Sequence, residues 1–434
     1  MHISDLYAVF QAHPEVTTDS RRITEDCLFF ALKGDLFDGN QFASAALQQG
    51  AAYAIVDDPG LAGLPRHILV PNVLTTLQDL ARHHRRQFDI PFIGITGSNG
   101  KTTTKELVAG VLAMRYRVHF TQGNLNNHIG VPLTLLSMPA DTEMAVIEMG
   151  ANHQGEIDAL SRIAEPDFGL ITNIGKAHLE GFGGIEGVKK GKSELYRFLA
   201  ERQGVAFINS DEPFLEELAQ ALDRKFFYGR KPNANYPIAL LKDQPTLQVS
   251  FAVEDGNEQH AQSQLIGAYN FGNIATAIAV GLYFGVSASD IKSAIERYTP
   301  ENMRSQVVRK GGNTIILDAY NANPSSTRQA LLTFGAMEAQ NKIAILGDML
   351  ELGEAAREEH QAIAELAQEL HLSQIILVGA HYASIDLPTE ALHFPHAEAL
   401  RKHLLERAFS STHFLIKGSR GIKLETIVEA LKEA

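Results

Sequence analysis

Cysteine is almost absent: Cys27 stands alone. No intramolecular disulfide can form, which points to a reducing compartment. There is no window of about 18 uninterrupted apolar residues, so no membrane span is expected. The first residues, MHISDLYAVFQAHPEV, lack a basic stretch leading into an apolar one, and no secretory signal is read there. Lysine and arginine form no dense run; the 38 of them are outnumbered by 51 acidic residues, a formal net charge of −13. That balance argues against a nucleic-acid partner, and an anionic ligand must be met by local basic groups. Internal repeats and low-complexity tracts are missing too. A soluble, cytoplasmic protein is expected, with a monomer as its expected state. What remains is ordinary globular material, 434 residues with 45% apolar and 21% charged. That suffices for about three domains with cores of normal size.

The most informative stretch is Phe92–Thr104, FIGITGSNGKTTT. An apolar β-type run from Pro91 to Ile95 stops at Thr96-Gly97. A small-residue loop follows, Gly97-Ser98-Asn99-Gly100, and Lys101-Thr102-Thr103 opens a helix-compatible segment ending near Leu112. Glycines let backbone N–H groups turn toward an anion, and a helix N-terminus adds the positive end of its dipole. Lysine reaches the β/γ-phosphates and the next hydroxyl reaches Mg²⁺. The first glycine of the standard signature would fall at Ile95, whereas here it is Gly97. The loop is thus a G-x-x-G-K-T variant, and ATP is the first partner to expect.

Before this stretch, residues 1–88 read as a small α/β unit with strands near Leu28–Leu32, Ala52–Val56 and Ile68–Val70. Helical patterns lie near Gln41–Gln49 and Val73–Arg86. Asp19, Ser20 and Arg21, within Thr17–Arg22, either hold a phosphate or nucleotide sugar or form a capped turn with solvated arginines. After the loop, Gly123–Pro132 carries Asn124, Asn126 and Asn127, which form either a ligand-facing loop or a turn-rich connection. Met144–Gly150 is an apolar strand ending in Glu148, placed to hold Mg²⁺ through oxygen. His178 lies just beyond the strand Phe168–Thr172; a lone histidine there is a metal ligand, a proton-transfer group or a structural residue. Lys189, Lys190 and Lys192 have the look of a solvated helix face. Val205–Asn209 is a further strand, and Gln244–Ile266 alternates as an antiparallel edge. Asn270 and Asn273 are placed to present amides on one side of a helix start, toward adenine or simply as caps. From Glu301 onward, strands (Thr314–Asp318, Lys342–Leu346, Gln374–Val378, His413–Ile416) alternate with helices (Ser325–Glu338, Glu354–Leu370, Ala397–Ala408, Ile422–Lys432). This alternation predicts a mostly parallel sheet.

Taken together, these stretches resemble the Mur ligases over nearly the whole chain. The resemblance rests on TGSNGKTT (Thr96–Thr103), NNHIGVPLTLL (Asn126–Leu136), IEMG (Ile147–Gly150) and TNIGKAHLEGFG (Thr172–Gly183). It continues in GAYNFGNIATA (Gly267–Ala277), DAYNANP (Asp318–Pro324), LGDMLELGE (Leu346–Glu354) and KGSRG (Lys417–Gly421). The DAYNANP and LGDMLELGE stretches look most like the member that adds D-alanyl-D-alanine. The chain departs from the family at Asn40, where histidine is common, and at Glu25-Asp26, where a Pro-Gly turn is common.

The resemblance implies an α/β protein of three domains. These are an N-terminal UDP-substrate domain (1–88), a central ATP-binding domain with a mostly parallel sheet (89–300), and a C-terminal Rossmann-like domain on the D-alanyl-D-alanine side (301–434). It implies ATP and Mg²⁺, two ions of it. Gly97, Ser98, Asn99, Gly100, Lys101, Thr102 and Thr103 would hold the phosphates. Thr102, Glu148, His178 and Lys192 would form the metal site, Lys192 as a possible carbamate. Asn273 would contact adenine, with Arg304 and Asp318 near the ribose and phosphates. Asp19, Ser20, Arg21, Asn124 and Asn127 would face the UDP-N-acetylmuramoyl-tripeptide. Asn321, Asp348, Lys417, Ser419 and Arg420 would lie toward the dipeptide and the reacting centre. Catalysis would fall to Lys101, Glu148, His178 and Lys192. Two alternatives stand beside this: another amide ligase of the same superfamily, such as a sister Mur ligase or a folylpolyglutamate synthase, and a P-loop scaffold that ligates nothing.

Overall fold

Apolar strand runs separated by helical patterns need cover on both faces of a sheet, and the chain supplies it three times over. The computed structural model describes residues 2–252 and 257–433. The first sheet joins Val16–Thr17, Leu28–Phe30, Tyr53–Val56 and His67–Leu69, all parallel. Its side chains alternate between two cores. Leu28, Phe30 and Ile55 meet Leu77 and Leu80 of the helix Val73–Arg85 on one face. Cys27, Phe29, Ala54 and Val56 meet Ala43 and Ala46 of the helix Ala43–Gln48 on the other.

The second sheet has nine strands. Third from the Val118–Phe120 edge, Phe92–Thr96 lies between Phe168–Ile171 and Met144–Glu148, parallel to both. Every residue of Phe92–Thr96, Met144–Glu148 and Val205–Asn209 is buried. This is the signature of parallel strands covered on both sides. Ile93, Ile95 and Val146 pack against Leu107, Val108, Ile274 and Ile278 of the helices Lys101–Leu112 and Phe271–Tyr283. From Phe92–Thr96 the chain moves to the edge strand Val118–Phe120 on one side, and later to Phe168–Ile171 on the other. The carboxyl end of Phe92–Thr96 is therefore the topological switch point, where open α/β sheets place their ligands. Far from it, Tyr236–Lys242, Gln248–Ala252 and Glu258–Gln262 form the antiparallel edge. Of the stretch Gln244–Ile266 expected to be β, residues 253–256 lie outside the described residues.

The third sheet runs Gln306–Lys310, Asn313–Asp318, Thr412–Lys417, Asn341–Gly347, Gln374–Val378, Leu392–Phe394. Only the first of these is antiparallel to its neighbour. Asp318 and Lys417 are register partners at its carboxyl end. The expected helix Ile422–Lys432 is instead a pair of 3₁₀ segments, Arg420–Ile422 and Leu424–Ala430. Lys423 between them is left-handed at φ 60°. The β-branched run Thr426-Ile427-Val428 gives an α-helix little support. The helix Ile3–Ala12 and the edge strand Gln306–Lys310 were not expected. Among the described residues no helix is long and apolar enough to cross a membrane.

The first two units share one core, which runs from Leu6 and Leu77 through Leu135 and Leu160 to Leu222. Arg85, the last residue of its helix and buried, fastens them. Its guanidinium donates to Glu165 O at 2.7 Å, Ala164 O at 3.1 Å, Phe88 O at 3.2 Å and Asp167 Oδ2 at 3.0 Å. It also lies 3.9 Å over the Phe92 ring. Replacing it by methionine keeps the packing stem but strands these acceptors. Arg85→Met is expected to cost about 3 kcal/mol of stability, read as a lower urea midpoint and faster proteolysis near residue 89. An unchanged midpoint would show that the shared apolar core alone joins the two units.

Candidate active site

The loop at the switch point is shaped by two glycines that nothing else can replace. A Cβ on Gly97 (φ 143°) would lie 2.0 Å from Thr172 Oγ1, and one on Gly100 (φ 77°) 2.5 Å from Asn273 Oδ1. Both φ values are ones that side chains resist. The loop is then laced to Thr172–Gly175. Ser98 N donates to Asn173 O at 3.0 Å, Asn99 N to Asn173 Oδ1 at 3.0 Å, and Thr172 Oγ1 to Asn99 O at 2.6 Å. The helix Lys101–Leu112 starts straight from this brace. Its first amides point into the crevice as the orphan donors of every helix start.

Lys101 curls back over the loop, its Nζ donating to Gly97 O at 2.7 Å and Ser98 O at 3.2 Å. Enclosure pulls its pKa down to about 8; Glu148 opposes the shift and Arg304 adds to it. Glu148 is 1% exposed. Its Oε1 accepts from Thr102 Oγ1 at 3.1 Å and from Asn126 Nδ2 at 2.7 Å. Its Oε2 accepts no hydrogen bond, although the buried Lys105 Nζ stands 3.7 Å away. A buried carboxylate oxygen without a donor, beside a threonine hydroxyl at a helix start, suits a hard cation that prefers oxygen. Among the described residues no cluster of three or more His, Cys, Asp or Glu could hold a metal. Such an ion would complete its shell with phosphate oxygens and water.

The other expected ligands are set apart from this pair. His178 turns its Nδ1 to Glu351 Oε2. Lys192 is fully buried, its Nζ 3.2 Å from Ala151 O and 5.0 Å from the centre of the Phe182 ring. The expectation of a solvated lysine face therefore fails at Lys192. Gly187 and Gly191, one turn apart, allow the reason: Cβ atoms there would meet Phe182 O at 1.8 Å and the Phe182 ring at 2.4 Å. Their helix, Ile185–Lys192, lies flush on Phe182 and carries Lys192 inward. Burial, and then the charge of Lys101, hold its pKa well below the usual lysine value.

The third unit reaches the loop directly. Asn323 caps the helix Pro324–Ala336 with its Oδ1 (Ser326 N, 2.9 Å) and donates its Nδ2 to Asn99 Oδ1 at 2.7 Å. Lys176 N donates to Ser325 Oγ at 2.9 Å, and Lys176 Nζ pairs with Glu359 at 2.5 Å. Lys417 Nζ pairs with Asp318 Oδ2 at 2.7 Å and reaches Asn321 O at 3.3 Å. Arg304 lies 3.7 Å over the Tyr320 ring, with Arg420 5.2 Å from the same ring.

Several expected residues serve other ends. Asp348 is 3% exposed, and its carboxylate accepts from the amides of His381 (2.9 Å) and Tyr382 (3.1 Å). It therefore ties its own loop to the neighbouring one that follows Gln374–Val378. Ser419 does likewise, its Oγ accepting from Leu350 N at 3.0 Å. Asn273 turns its amide inward, accepting from Thr104 Oγ1 at 2.9 Å and donating to Asn270 Oδ1 at 2.8 Å. That steadies Gly100 from behind. Asn127 Oδ1 accepts from Ile129 N and Gly130 N at the start of the helix Gly130–Leu136, a turn role. Asn124 contributes its carbonyl to the same turn. Asp19 accepts both hydrogen bonds of the exposed Arg21 fork at 2.8 Å. Arg21 thereby holds the Asp19 carboxyl at about 2. Asn126, Lys105 and Asn323 are the residues that sequence reasoning passed over. The cluster of asparagines signalled the first, but nothing told which of the three would meet Glu148.

Comparison with known proteins covers the whole of this geometry. The Mur ligase family, catalytic domain, matches residues 14–85; the Mur ligase middle domain matches 95–281; the Mur ligase, glutamate ligase domain, matches 303–420. The UDP-N-acetylmuramoyl-tripeptide–D-alanyl-D-alanine ligase of Bacillus subtilis (strain 168) is 37% identical over 431 residues, 96% of this chain and 93% of that protein. A crystal structure of MurF from Acinetobacter baumannii superposes with a TM-score of 0.86 at 31% identity, covering 98% of this chain and 97% of that one. MurF ligase from Thermotoga maritima in complex with ADP gives 0.85 at 28% identity, with 96% of each chain covered.

The lowered Lys101 pKa has a definite sign. The ammonium, which attracts phosphate, is present below about 8 and is lost as pH rises through that value. ADP affinity of the free protein, measured calorimetrically, is expected to fall above pH 8. Lys101→Arg, which stays charged, is expected to flatten that limb. The same limb in both proteins would assign the titration elsewhere.

Proposed function

The chain belongs to the Mur ligase family, and we propose that it joins D-alanyl-D-alanine to UDP-N-acetylmuramoyl-tripeptide at the expense of ATP. The products are UDP-N-acetylmuramoyl-pentapeptide, ADP and phosphate, a step in building peptidoglycan precursors. The observation that carries this reading is a phosphate loop shared by two domains. Lys101, Thr102 and Glu148 line it from the central domain, and Asn323 of the third domain is bonded to Asn99 at its crest. We assign 1–88 to the UDP end, 89–300 to ATP and 301–434 to the dipeptide side, divisions that fall between the three sheets.

In the proposed reaction the terminal carboxylate oxygen of the tripeptide bonds to the γ-phosphorus. The bridging oxygen leaves with ADP, and an acyl phosphate results. The amino nitrogen of the dipeptide then adds to that carbonyl, loses a proton, and phosphate departs with the C–O bonding pair. Two anions must meet in the first step, so orientation and charge neutralisation are the main demands. Lys101 and the first amides of its helix hold the β- and γ-phosphates. Thr102 and Glu148 would hold Mg²⁺, with His178 and Lys192 reaching the ion set from further out. Bound Mg²⁺ offsets the negative charge of the phosphate oxygens as the bond is made. Lys192, disfavoured as an ammonium, is suited to react as a free amine with CO₂. The carbamate so formed would return a carboxylate to this wall of the site. Arg304 and Asp318 are assigned to the nucleotide, and Asn321, Lys417 and Arg420 to the acceptor side. Asp19, Ser20 and Arg21 are assigned to the UDP end.

Phosphate release, followed with UDP-N-acetylmuramoyl-tripeptides carrying lysine or meso-diaminopimelate, should require both peptide substrates. Release without the dipeptide would count against ligation, and another acceptor preferred in a screen would point to a sister ligase. Lys101→Ala should lower turnover at least about 10²-fold with unchanged circular dichroism. Normal turnover would remove the phosphate-loop assignment. Lys192→Ala should be inactive and partly rescued by short carboxylates such as formate or acetate; full activity without them would end the carbamate reading.

A further inference from the structure

The assignment of His178 to the metal set leaves open what aims its ring. Its Nδ1 is in direct contact with Oε2 of Glu351, a residue of the third unit. Among the described residues neither ring nitrogen makes a formed hydrogen bond, and the buried Nδ1 has the Glu351 carboxylate as its polar contact. We propose that Glu351 is a positioning residue for His178: it keeps the ring proton on Nδ1, so that Nε2 is the nitrogen offered to a divalent cation. This rests on the reading of His178 as a metal-site residue. A carboxylate behind a ligating imidazole fixes the tautomer, the ring orientation and the basicity of the ligand. Here that carboxylate would come from a different domain than the ligand it serves.

The local backbone supports a built arrangement. His178 (φ 52°) and Glu351 (φ 64°) are both left-handed without being glycine. Such residues persist where their surroundings over-determine them. The surroundings of Glu351 do so. Asp348 is held by the amides of His381 and Tyr382. Met349 N donates to the buried His360 Nε2 at 2.9 Å, and Leu350 N to Ser419 Oγ at 3.0 Å. His360 presents Nε2 as an acceptor because its Nδ1 faces Ala356 O. On the far side, Glu180 N meets Glu351 O at 3.4 Å, and a Cβ on Gly353 would lie 3.3 Å from the Glu180 side chain. The buried Asp348, His360 and Ser419 thus hold one short loop, and the product of that rigidity is the place of the Glu351 carboxylate. Its side chain is half exposed, 51%, so truncating it removes the carboxylate without opening a core.

The test uses the full chain labelled with ¹⁵N-histidine. The His178 signal is assigned by its loss in His178→Gln. In the wild type the ring should show one tautomer, protonated on Nδ1. Glu351→Ala should release it to a mixture and weaken Mn²⁺ binding, titrated by EPR with ADP present, about 10- to 100-fold. Glu351→Gln, whose amide oxygen still accepts, should recover part of both. A residue that merely clasped the domains would alter domain closure by small-angle scattering and leave the tautomer in place. An unchanged tautomer, or unchanged Mn²⁺ affinity, in Glu351→Ala overturns the proposal. If His178→Gln itself leaves Mn²⁺ affinity unchanged, the metal role of His178 fails first and takes the proposal with it.

Discussion

Charge buried without enough counter-charge is the constraint around which this site is built. Glu148 lies almost fully buried with Lys101 and Lys105 close by, and the charge of Lys101 is felt by the buried Lys192. Glu148 and Glu106 act on Lys105, and Glu156 and Glu194 on Lys192, yet burial outweighs these carboxylates at each lysine. A desolvated ammonium is costly, and the lowered pKa values of all three lysines express that cost. A polyphosphate lowers it by supplying the missing negative charge. Neutral donors hold the carboxylate in the meantime, Thr102 and Asn126 on one oxygen. The helix start adds the positive end of its dipole at the same place. The site is thus arranged for an anion that the protein does not itself contain.

That arrangement was only partly legible in the sequence. Strand, glycine loop, Lys-Thr and helix are contiguous, so Phe92–Thr104 could be read as a phosphate loop and Glu148 as a strand-end carboxylate. The three-sheet α/β architecture followed from apolar runs alternating with helical patterns, because burial on both faces leaves a mark in composition. Partner choice across sequence distance leaves none. Thr102 and Glu148 are 46 positions apart, and Asn99 and Asn323 are 224 apart. Only the folded register decides that Asn126, and not Asn124 or Asn127, meets the carboxylate. Lys192 shows the same limit in reverse. A lysine-rich turn reads as solvated, and two glycines packing on Phe182 are needed to carry it inside.

The strand ends of the third unit illustrate a different ambiguity. Asp318, Asp348, Lys417 and Ser419 are polar residues at the carboxyl edge of a parallel sheet, where ligands collect. Two of them hold loops: Asp348 accepts from the amides of His381 and Tyr382, and Ser419 from that of Leu350. Short loops at such edges carry many backbone amides with no strand to bond to, and buried ones must be satisfied. Chemically loaded positions are therefore of two kinds, those that touch ligands and those that stiffen what does. The residue types are identical, and only their partners separate them.

Arg85 bears on how such a molecule moves. Its guanidinium is spread over Phe88 O, Ala164 O and Glu165 O, and one core runs through the first two units. If that joint holds, the first two units would move as one body against the third, which the chain enters near Thr299–Ser305. A pair of distance labels across that connection would report such a motion. On the proposed division of substrates, the UDP-bearing end would ride with the nucleotide, and the dipeptide would be the substrate that travels.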